Sequence, residues 1–186
     1  MELILASTSQ YRRELLSRLG FPFRCEAPGV DENISGTPRE ISAKLALEKA
    51  KAVQKKFPKA IVIGSDQLAA LGDEILGKPG SREKALAQLK KLSGKTHTLF
   101  TSLAVLTPGK EFLHTDETKL EMLVLTEGEL GQYLDFDKPF DCAGSYKIES
   151  RGISLIKRIQ SEDFTAIEGL PLLKLGEILR GLQRTS

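Results

Sequence analysis

A run of small hydroxyl residues at Ser7–Ser9 separates an apolar segment, Leu3–Leu5, from the amphipathic pattern of a helix that we predict to end at Gly20. The N-terminus of a helix carries partial positive charge and free backbone N–H groups, which suit a phosphate. Arg12 and Arg13 fall in the first turn, where a cation is unfavourable with the helix dipole unless it holds an anion. The same stretch also fits a plain strand–helix junction with solvated arginines.

A single aspartate, Asp66, follows the most strongly apolar segment of the chain, Ala60–Ile63. Four apolar residues in a row predict a central strand that is buried on both faces. Open α/β sheets bind ligands beyond the carboxyl ends of their strands, and an Asp there could bind a divalent cation or polarise a water. A lone Asp is equally typical of an Asx turn that ends a strand.

Two loops carry further charged residues that could contact a phosphate or a metal. Lys78 stands between Gly77 and Pro79, two residues that set the course of the backbone in a loop, and this setting suits a phosphate contact. Asp31 and Glu32 are adjacent and could supply oxygen ligands for Mg²⁺ or Mn²⁺, although paired acids in a loop are usually only solvated.

Two residues could recognise a nucleobase. Glu149 is a carboxylate in a glycine-flanked segment, and a carboxylate can accept both the N1–H and N2–H hydrogen bonds of guanine. Tyr11 lies beside the predicted phosphate site, where its ring could stack on a base; a cationic base would add about 0.5–2 kcal/mol. The simpler alternatives are a partly buried aromatic for Tyr11 and a surface acid for Glu149.

The segment Ser93–Thr96 reads SGKT, but we do not interpret it as a P-loop. That motif requires a glycine five residues before Gly94, where this chain has Leu89, and it requires a preceding strand. Here a helix precedes it, so Gly94 is predicted to end that helix before a strand begins.

Composition limits the class of protein. The chain has 186 residues with 40% hydrophobic and 28% charged content, which is typical of one globular domain. A net charge of +2 is too balanced to favour general binding of nucleic-acid polymers. The two cysteines and two histidines lack metal-site spacing, and no signal-peptide pattern or apolar run of about 20 residues occurs. We therefore predict a cytoplasmic protein without a membrane partner.

Local signals predict the elements that must position these residues. Three helices are predicted after hydroxyl caps, at Thr37, Ser81 and Thr126. A short strand is predicted within Phe21–Ala27 and a hairpin around Gly72. Two long antiparallel strands, Thr98–Leu106 and Glu111–Leu125, are predicted on either side of a turn, and a last helix over Leu172–Leu182. The order of elements indicates an α/β fold with a mixed sheet.

Taken in order, these segments resemble the Maf family of nucleotide pyrophosphatases over nearly the whole chain. The resemblance rests on eight blocks of sequence: LASTSQYRRELL at 5–16, VDE at 30–32, LALEKA at 45–50, IGSDQ at 63–67, GKP at 77–79, LSGKTH at 92–97, CAGSYKIE at 142–149 and EGLP at 168–171.

The resemblance implies an elongated single domain over residues 1–186, with a mixed twisted sheet flanked by helices as in the inosine-triphosphate pyrophosphatases. It implies cleavage of nucleoside triphosphates to the monophosphate and pyrophosphate with a divalent metal, Mg²⁺ or Mn²⁺. Asp66 would be the proton acceptor that activates water, and Glu32 would join it as a metal ligand. The phosphate-binding positions are Ser7, Arg12, Arg13, Lys49 and Lys78.

Three positions imply the branch of the family. Tyr11, Gln67 and Glu149 resemble the branch that takes 7-methyl-GTP, which has an aromatic residue, Gln and Glu there; the dTTP/UTP branch usually has Arg, Thr and Gln. Methylation at N7 makes guanine cationic, which agrees with an aromatic platform. The chain departs from the family at Gln10, commonly Pro, and at Tyr11, often Trp.

Other functions remain open from the sequence. The runner-up enzyme is a dTTP/UTP pyrophosphatase, and a second class is a non-catalytic nucleotide-binding regulator of cell division. A third is a structural α/β domain without a ligand, which would require the charged residues above to be scattered. An elongated fold of this kind also makes a homodimer plausible.

Overall fold

The computed structural model describes residues 1–184, in which strands and helices are interspersed along the chain. The strands are β1 Leu3–Leu5, β2 Arg24–Cys25, β3 Ile61–Leu71, β4 Glu74–Leu76, β5 Thr96–Thr107, β6 Lys110–Met122 and β7 Ile156–Gln160. The helices are α1 Gln10–Ser17, α2 Pro38–Lys56, α3 Arg82–Leu92, α4 Glu127–Asp137 and α5 Leu172–Arg184. Short 3₁₀ turns occur at Ala143–Ser145, Arg151–Leu155 and Ala166–Glu168.

The predicted helix caps are confirmed. The Thr37 hydroxyl accepts a hydrogen bond from the Glu40 backbone N–H, and the Glu40 carboxylate accepts one from the Thr37 N–H at 3.0 Å. Thr126 and Glu129 form the same reciprocal pair at the start of α4. Such a capping box satisfies backbone donors that the first turn of a helix leaves unpaired. Local sequence signals therefore determine where these helices begin.

The strands form one mixed sheet in the order β2-β1-β3-β5-β6-β7, with β4 paired to β3. Strand β1 pairs in parallel with both β2 and β3, and Leu5 lies opposite Ile63. Strand β3 then turns into an antiparallel hairpin with β4 around Gly72, as predicted. Parallel and antiparallel pairs in one sheet confirm the predicted α/β class with a mixed sheet. Strand β2 is shorter than predicted, and β6 ends three residues before Leu125.

The described residues cluster into two compact units. The first contains residues 1–67, residues 101–116 and the chain from residue 163 onward; the second contains residues 68–100 and 117–162. The single domain predicted over residues 1–186 stays a prediction, and its last two residues lie outside the described part. No helix within residues 1–184 is long and apolar enough to cross a bilayer.

The core of the first unit has apolar layers on both faces of the sheet. Leu3 and Leu5 of β1 pack in a cluster with α1 and α5. Ile4 faces the other way and packs in a second cluster with Ala46 and Ala50 of α2. Successive strand residues point to opposite faces, so a strand covered on both sides reads as a continuous apolar run. This explains the apolar runs of β1 and β3.

The second unit packs α3 beside α4. Leu89 of α3 and both Leu130 and Leu134 of α4 are completely buried. On the exposed side, the Arg82 guanidinium pairs with the Asp135 carboxylate at 2.6 Å. An exposed ion pair contributes at most about 1 kcal/mol, so the buried leucines hold this helix pair together.

Candidate active site

A glycine lets helix α2 approach strand β3 closely. A Cβ atom at Gly64 would lie 2.1 Å from the Ala46 carbonyl oxygen and 2.9 Å from the Ala50 Cβ. Only a residue without a side chain therefore fits between the strand and the helix backbone. Because Asp66 follows on the strand and Lys49 lies on the helix, this close packing brings their side chains together.

Lys49 lies between two carboxylates. Its ammonium donates to Asp66 Oδ1 at 2.6 Å and pairs with Glu32 Oε1 at 2.7 Å. Lys49 and Asp66 are buried, whereas the Glu32 side chain is 62% exposed. The predicted phosphate-binding cation and the two predicted metal ligands are thus neighbours within the first unit.

Asp66 has one carboxylate oxygen that is not engaged. Its Oδ2 is buried and has no hydrogen-bond partner within residues 1–184. Burial raises the pKa of Asp66 above its ordinary value, while Lys49 and Arg12 act to lower it and Glu32 to raise it further. A buried acceptor without a partner is costly unless a ligand satisfies it, so Oδ2 is suited to accept a hydrogen bond from a water or to bind a cation.

Arg12 adds a second cation to this cluster. It belongs to the first turn of α1, and its Nε donates to the Gly169 carbonyl at 3.0 Å. Burial lowers the pKa of Arg12, and the carboxylates of Asp66 and Glu32 oppose that shift. A guanidinium stays protonated in proteins, so the cluster holds two cations and two carboxylates. The name charged cluster is used below for Arg12, Glu32, Lys49 and Asp66.

The hydroxyl run borders an open cavity of about 320 Å³. Arg13 and Ser7 line it, together with Cys25. The Ser9 hydroxyl caps α1 by accepting from the Arg12 N–H, and Ser7 Oγ accepts from the Ser9 N–H at 3.1 Å. The strand–helix junction predicted from the sequence is confirmed. Phosphate binding by Ser7 and Arg13 stays a prediction.

The residues predicted to select the nucleotide fall in different surroundings. Tyr11 is 37% exposed on α1, and Gln67 on β3 is half-buried. The Gln67 amide nitrogen lies 2.9 Å from Thr101 Oγ1 and 2.9 and 3.0 Å from the Ala166 and Ile167 carbonyls. The Gln67 side-chain amide thus holds the backbone at Ala166 and Ile167 in place. Its part in nucleotide choice stays a prediction.

Lys78 and Glu149 belong to the second unit. Both are exposed, and Lys78 lies in the loop between β4 and α3. Glu149 lies within a segment that is tied to α4 on either side of it: Tyr133 Oη accepts from the Lys147 N–H at 2.9 Å, and Ser150 Oγ donates to Asp137 Oδ1 at 2.8 Å. The structure therefore brings four predicted site residues together in the charged cluster, and the roles of Lys78 and Glu149 stay predictions.

One expectation about Asp66 was wrong. Asp66 does not stand at the carboxyl end of its strand, because β3 continues to Leu71. The neighbouring strand β1 ends at Leu5, opposite Ile63, and the chain there turns toward α1. Asp66 consequently lies beyond the end of β1 rather than beyond the end of its own strand. Past that point β3 pairs with β4, where Ala69 lies opposite Leu76.

Sequence reasoning missed Gly64, Ser65, Thr101 and Gly169. Gly64 and Ser65 lie inside the IGSDQ block, and Gly169 lies inside EGLP, but neither block assigned them a task. Gly169 acts through its backbone carbonyl, which any residue carries. The one signal in the sequence is the glycine itself, since a φ of 111° favours a residue without a side chain.

The predicted metal ligands supply a small set of donor atoms. Within residues 1–184 no group of three or more His, Cys, Asp or Glu side chains could hold a metal ion. The available donors are Asp66 and Glu32, which converge on Lys49, together with the unpartnered Asp66 Oδ2. Mg²⁺ is commonly bound by one or two carboxylates together with waters and substrate phosphates. The residues therefore fit a metal whose remaining ligands are waters or the phosphate oxygens of a bound ligand.

Comparisons with known proteins agree over nearly the whole chain. A family model described as Maf-like protein matches residues 2–182. A protein of Bdellovibrio bacteriovorus named 7-methyl-GTP pyrophosphatase is 46% identical over 182 residues, which cover 96% of this chain and 95% of that protein. One of the same name from Xanthomonas oryzae is 47% identical over 180 residues, with 96% and 95% covered.

A solved structure shows the fold independently. The Staphylococcus aureus Ham1 protein matches with a TM-score of 0.57 over 97% of this chain and 99% of that chain. Its sequence identity is 15%, so this likeness concerns the fold alone. It confirms the predicted α/β fold type.

Proposed function

The chain belongs to the Maf family, and on this premise we propose that it is a nucleoside triphosphate pyrophosphatase that hydrolyses 7-methyl-GTP to 7-methyl-GMP and pyrophosphate. Its role would be to remove a modified nucleotide. The observation that carries the proposal is Asp66, a buried carboxylate with one unpartnered oxygen beside two cations. Relatives named 7-methyl-GTP pyrophosphatase, which match this chain almost end to end, support the choice of substrate.

Asp66 is proposed to accept the proton of the attacking water. A general base works best when its pKa approaches the working pH, and burial shifts the pKa of Asp66 in that direction. Hydrolysis between the α and β phosphates develops negative charge, which the guanidinium of Arg12 and the ammonium of Lys49 would stabilise. In the free protein Lys49 contacts both carboxylates, so a bound triphosphate would compete with them for this ammonium.

A divalent metal, Mg²⁺ or Mn²⁺, would be held by Asp66 and Glu32 with the phosphates and would supply neutralisation of the developing charge. Glu32 is exposed, so its carboxylate is the more accessible donor of the two. Removing the metal with EDTA is expected to abolish turnover, and adding Mg²⁺ is expected to restore it.

The pH dependence of turnover follows from Asp66. The base must be ionised, so kcat is expected to fall as pH is lowered through the raised pKa of Asp66. Lys49→Met removes the group that most strongly lowers this pKa, so the acid limb of the profile should move to higher pH. The measurement is kcat against pH for both proteins. An unchanged or acid-shifted limb in Lys49→Met would contradict Asp66 as the titrating base.

Nucleotide choice is proposed to depend on Tyr11, Gln67 and Glu149, with a ring at position 11 stacking on the cationic base. Tyr11 is exposed enough to meet a ligand. Tyr11→Ala should lower kcat/KM for 7-methyl-GTP by about 5- to 30-fold relative to that for GTP, from the loss of a cation–π contact of about 1–2 kcal/mol. The comparison of both substrates checks it, with Tyr11→Phe as the control that keeps the ring. Equal losses on both nucleotides would make Tyr11 a packing residue.

A panel of triphosphates tests the proposed substrate. Pyrophosphate release is measured with 7-methyl-GTP, GTP, dTTP and UTP, each with and without Mg²⁺. We expect 7-methyl-GTP to be turned over with the highest kcat/KM. Higher values for dTTP and UTP would favour the second branch of the family, while binding of 7-methyl-GTP without hydrolysis would favour the regulator. Light scattering on the same samples measures whether the protein is a monomer or the homodimer considered from the sequence.

A further inference from the structure

The turn formed by Ala166–Gly169, called the 166–169 turn below, contacts the charged cluster through a backbone carbonyl that accepts a hydrogen bond from Arg12. Its first three residues form a 3₁₀ turn that ends at Gly169, whose φ is 111°. Residues with side chains rarely adopt this φ, so glycine is required where the chain bends away toward α5. The bend turns the Gly169 carbonyl toward Arg12, 157 residues earlier in the chain.

Buried side chains from two central strands hold the 166–169 turn. Thr101 Oγ1 of β5 donates to the Ala166 carbonyl at 2.8 Å, and the Gln67 amide of β3 donates to the same carbonyl and to that of Ile167. Thr101 has no exposed surface. The 166–169 turn is thus fixed by hydrogen bonds to side chains rather than by pairing in the sheet.

The carbonyl of Gly169 accepts from two donors. Ser65 Oγ lies 2.9 Å away and Arg12 Nε 3.0 Å away. Ser65 is completely buried, and its hydroxyl also lies 2.9 Å from the Ser102 carbonyl, so its one hydrogen is shared between two acceptors. A carbonyl oxygen can accept two hydrogen bonds, and each one restricts its direction. Ser65 therefore steadies the atom that holds Arg12.

This arrangement determines how Arg12 presents its charge. The bond through Nε fixes the plane of the guanidinium and does not use the N–H groups of Nη1 and Nη2. Asp66 and Glu32 are the charged groups that act on this guanidinium. A planar fork whose base is fixed can offer two parallel N–H groups to one phosphate.

We propose that the 166–169 turn positions Arg12 for the transition state, and that Ser65 and Thr101 are positioning residues that act through it. This inference rests on the proposed function, since it assigns Arg12 to the charge that develops on the phosphates. Gln67 gains a second role as a tether of the same turn. Neither Ser65 nor Thr101 needs to touch the substrate.

A double-mutant cycle tests the inference. Ser65→Ala is expected to lower kcat for 7-methyl-GTP about tenfold with KM changed less than about twofold, because a misdirected guanidinium loses transition-state stabilisation. Arg12→Met, which keeps length but donates no hydrogen bond, is expected to lower kcat about 100-fold or more. The double variant should be within about twofold of Arg12→Met alone, because Ser65 then has nothing left to position.

Controls separate positioning from stability. Ser42→Ala removes another buried hydroxyl of the same unit, one that bonds to Ser102 Oγ and not to the 166–169 turn, and it should leave kcat unchanged. Urea unfolding of each variant shows that the assays compare folded protein. The same cycle with Thr101→Val in place of Ser65→Ala tests the proposal at a second positioning residue.

The results distinguish a failure of the positioning role from a failure of the proposed function. If Ser65→Ala and Thr101→Val lower kcat by the same factor in the Arg12→Met background as in the wild type, the positioning role is wrong, whereas non-additive losses support it. If the wild-type protein releases no pyrophosphate from any triphosphate, the proposed function fails first. In that case the same cycle is read in the free energy of unfolding, where non-additive losses show that Ser65 acts through Arg12 and additive losses show that it does not.

Discussion

Asp66→Asn is expected to reduce pyrophosphate release from 7-methyl-GTP by about 10²–10⁴-fold, the contribution of a positioned general base. Asparagine has nearly the same shape and still fills the space beside Lys49, but it cannot accept the proton of a water. Nucleotide binding should persist, because the substitution removes a negative charge from the neighbourhood of an anionic ligand. Loss of turnover with retained binding therefore identifies a chemical rather than a binding role.

A matched control variant shows whether the loss of turnover is specific to Asp66. Asp116→Asn changes another buried aspartate of the first unit, and Asp116 is not among the groups that shift the pKa of Asp66. Both variants are assayed at neutral pH for kcat and for nucleotide affinity. Full turnover by Asp66→Asn would show that another residue activates the water.

Gly64→Ala is expected to be the most damaging substitution of a single methyl group. The added Cβ would lie 2.1 Å from the Ala46 carbonyl oxygen, far inside van der Waals contact, and both neighbours are backbone or short side chains that cannot turn aside. Helix α2 must therefore move, at a cost of about 1–3 kcal/mol or more in the free energy of unfolding. The kcat of the protein that remains folded should also fall, because the shift of α2 moves Lys49 away from Asp66.

The measurement is urea unfolding together with kcat on the folded fraction. Gly128→Ala is the control: it lies in α4, and its added Cβ would meet no atom within 4 Å. This control should unfold at the same or a higher urea concentration, since alanine favours a helix. An unchanged midpoint in Gly64→Ala would contradict the close packing of α2 on β3.

Local signals in the sequence predicted much of the fold. Thr37, Ser81 and Thr126 each begin a helix because a hydroxyl cap and the residues after it act within one turn. The apolar run Ala60–Ile63 gave the central strand because a strand covered on both faces must be apolar throughout. The end of β3 was not predicted, because it depends on the strands that accompany it rather than on its own residues.

The candidate site was predicted in part. Its charged residues could be named because their types suit phosphate chemistry and because the blocks around them resemble a family. The ion pairs of Lys49 with Asp66 and Glu32 could not be predicted from the sequence, because they depend on how closely α2 packs on β3. The bond from Arg12 to the Gly169 carbonyl joins residues 157 positions apart and involves a backbone atom, which no local pattern indicates.

The position of cleavage is the most direct test of the proposed function. Wild-type protein is incubated with 7-methyl-GTP and Mg²⁺, and the products are separated by chromatography and quantified over time. Hydrolysis between the α and β phosphates, as proposed for the charged cluster, gives 7-methyl-GMP and pyrophosphate in equal amounts from the first turnover. Formation of 7-methyl-GDP and inorganic phosphate, or no turnover of 7-methyl-GTP at all, would contradict the account.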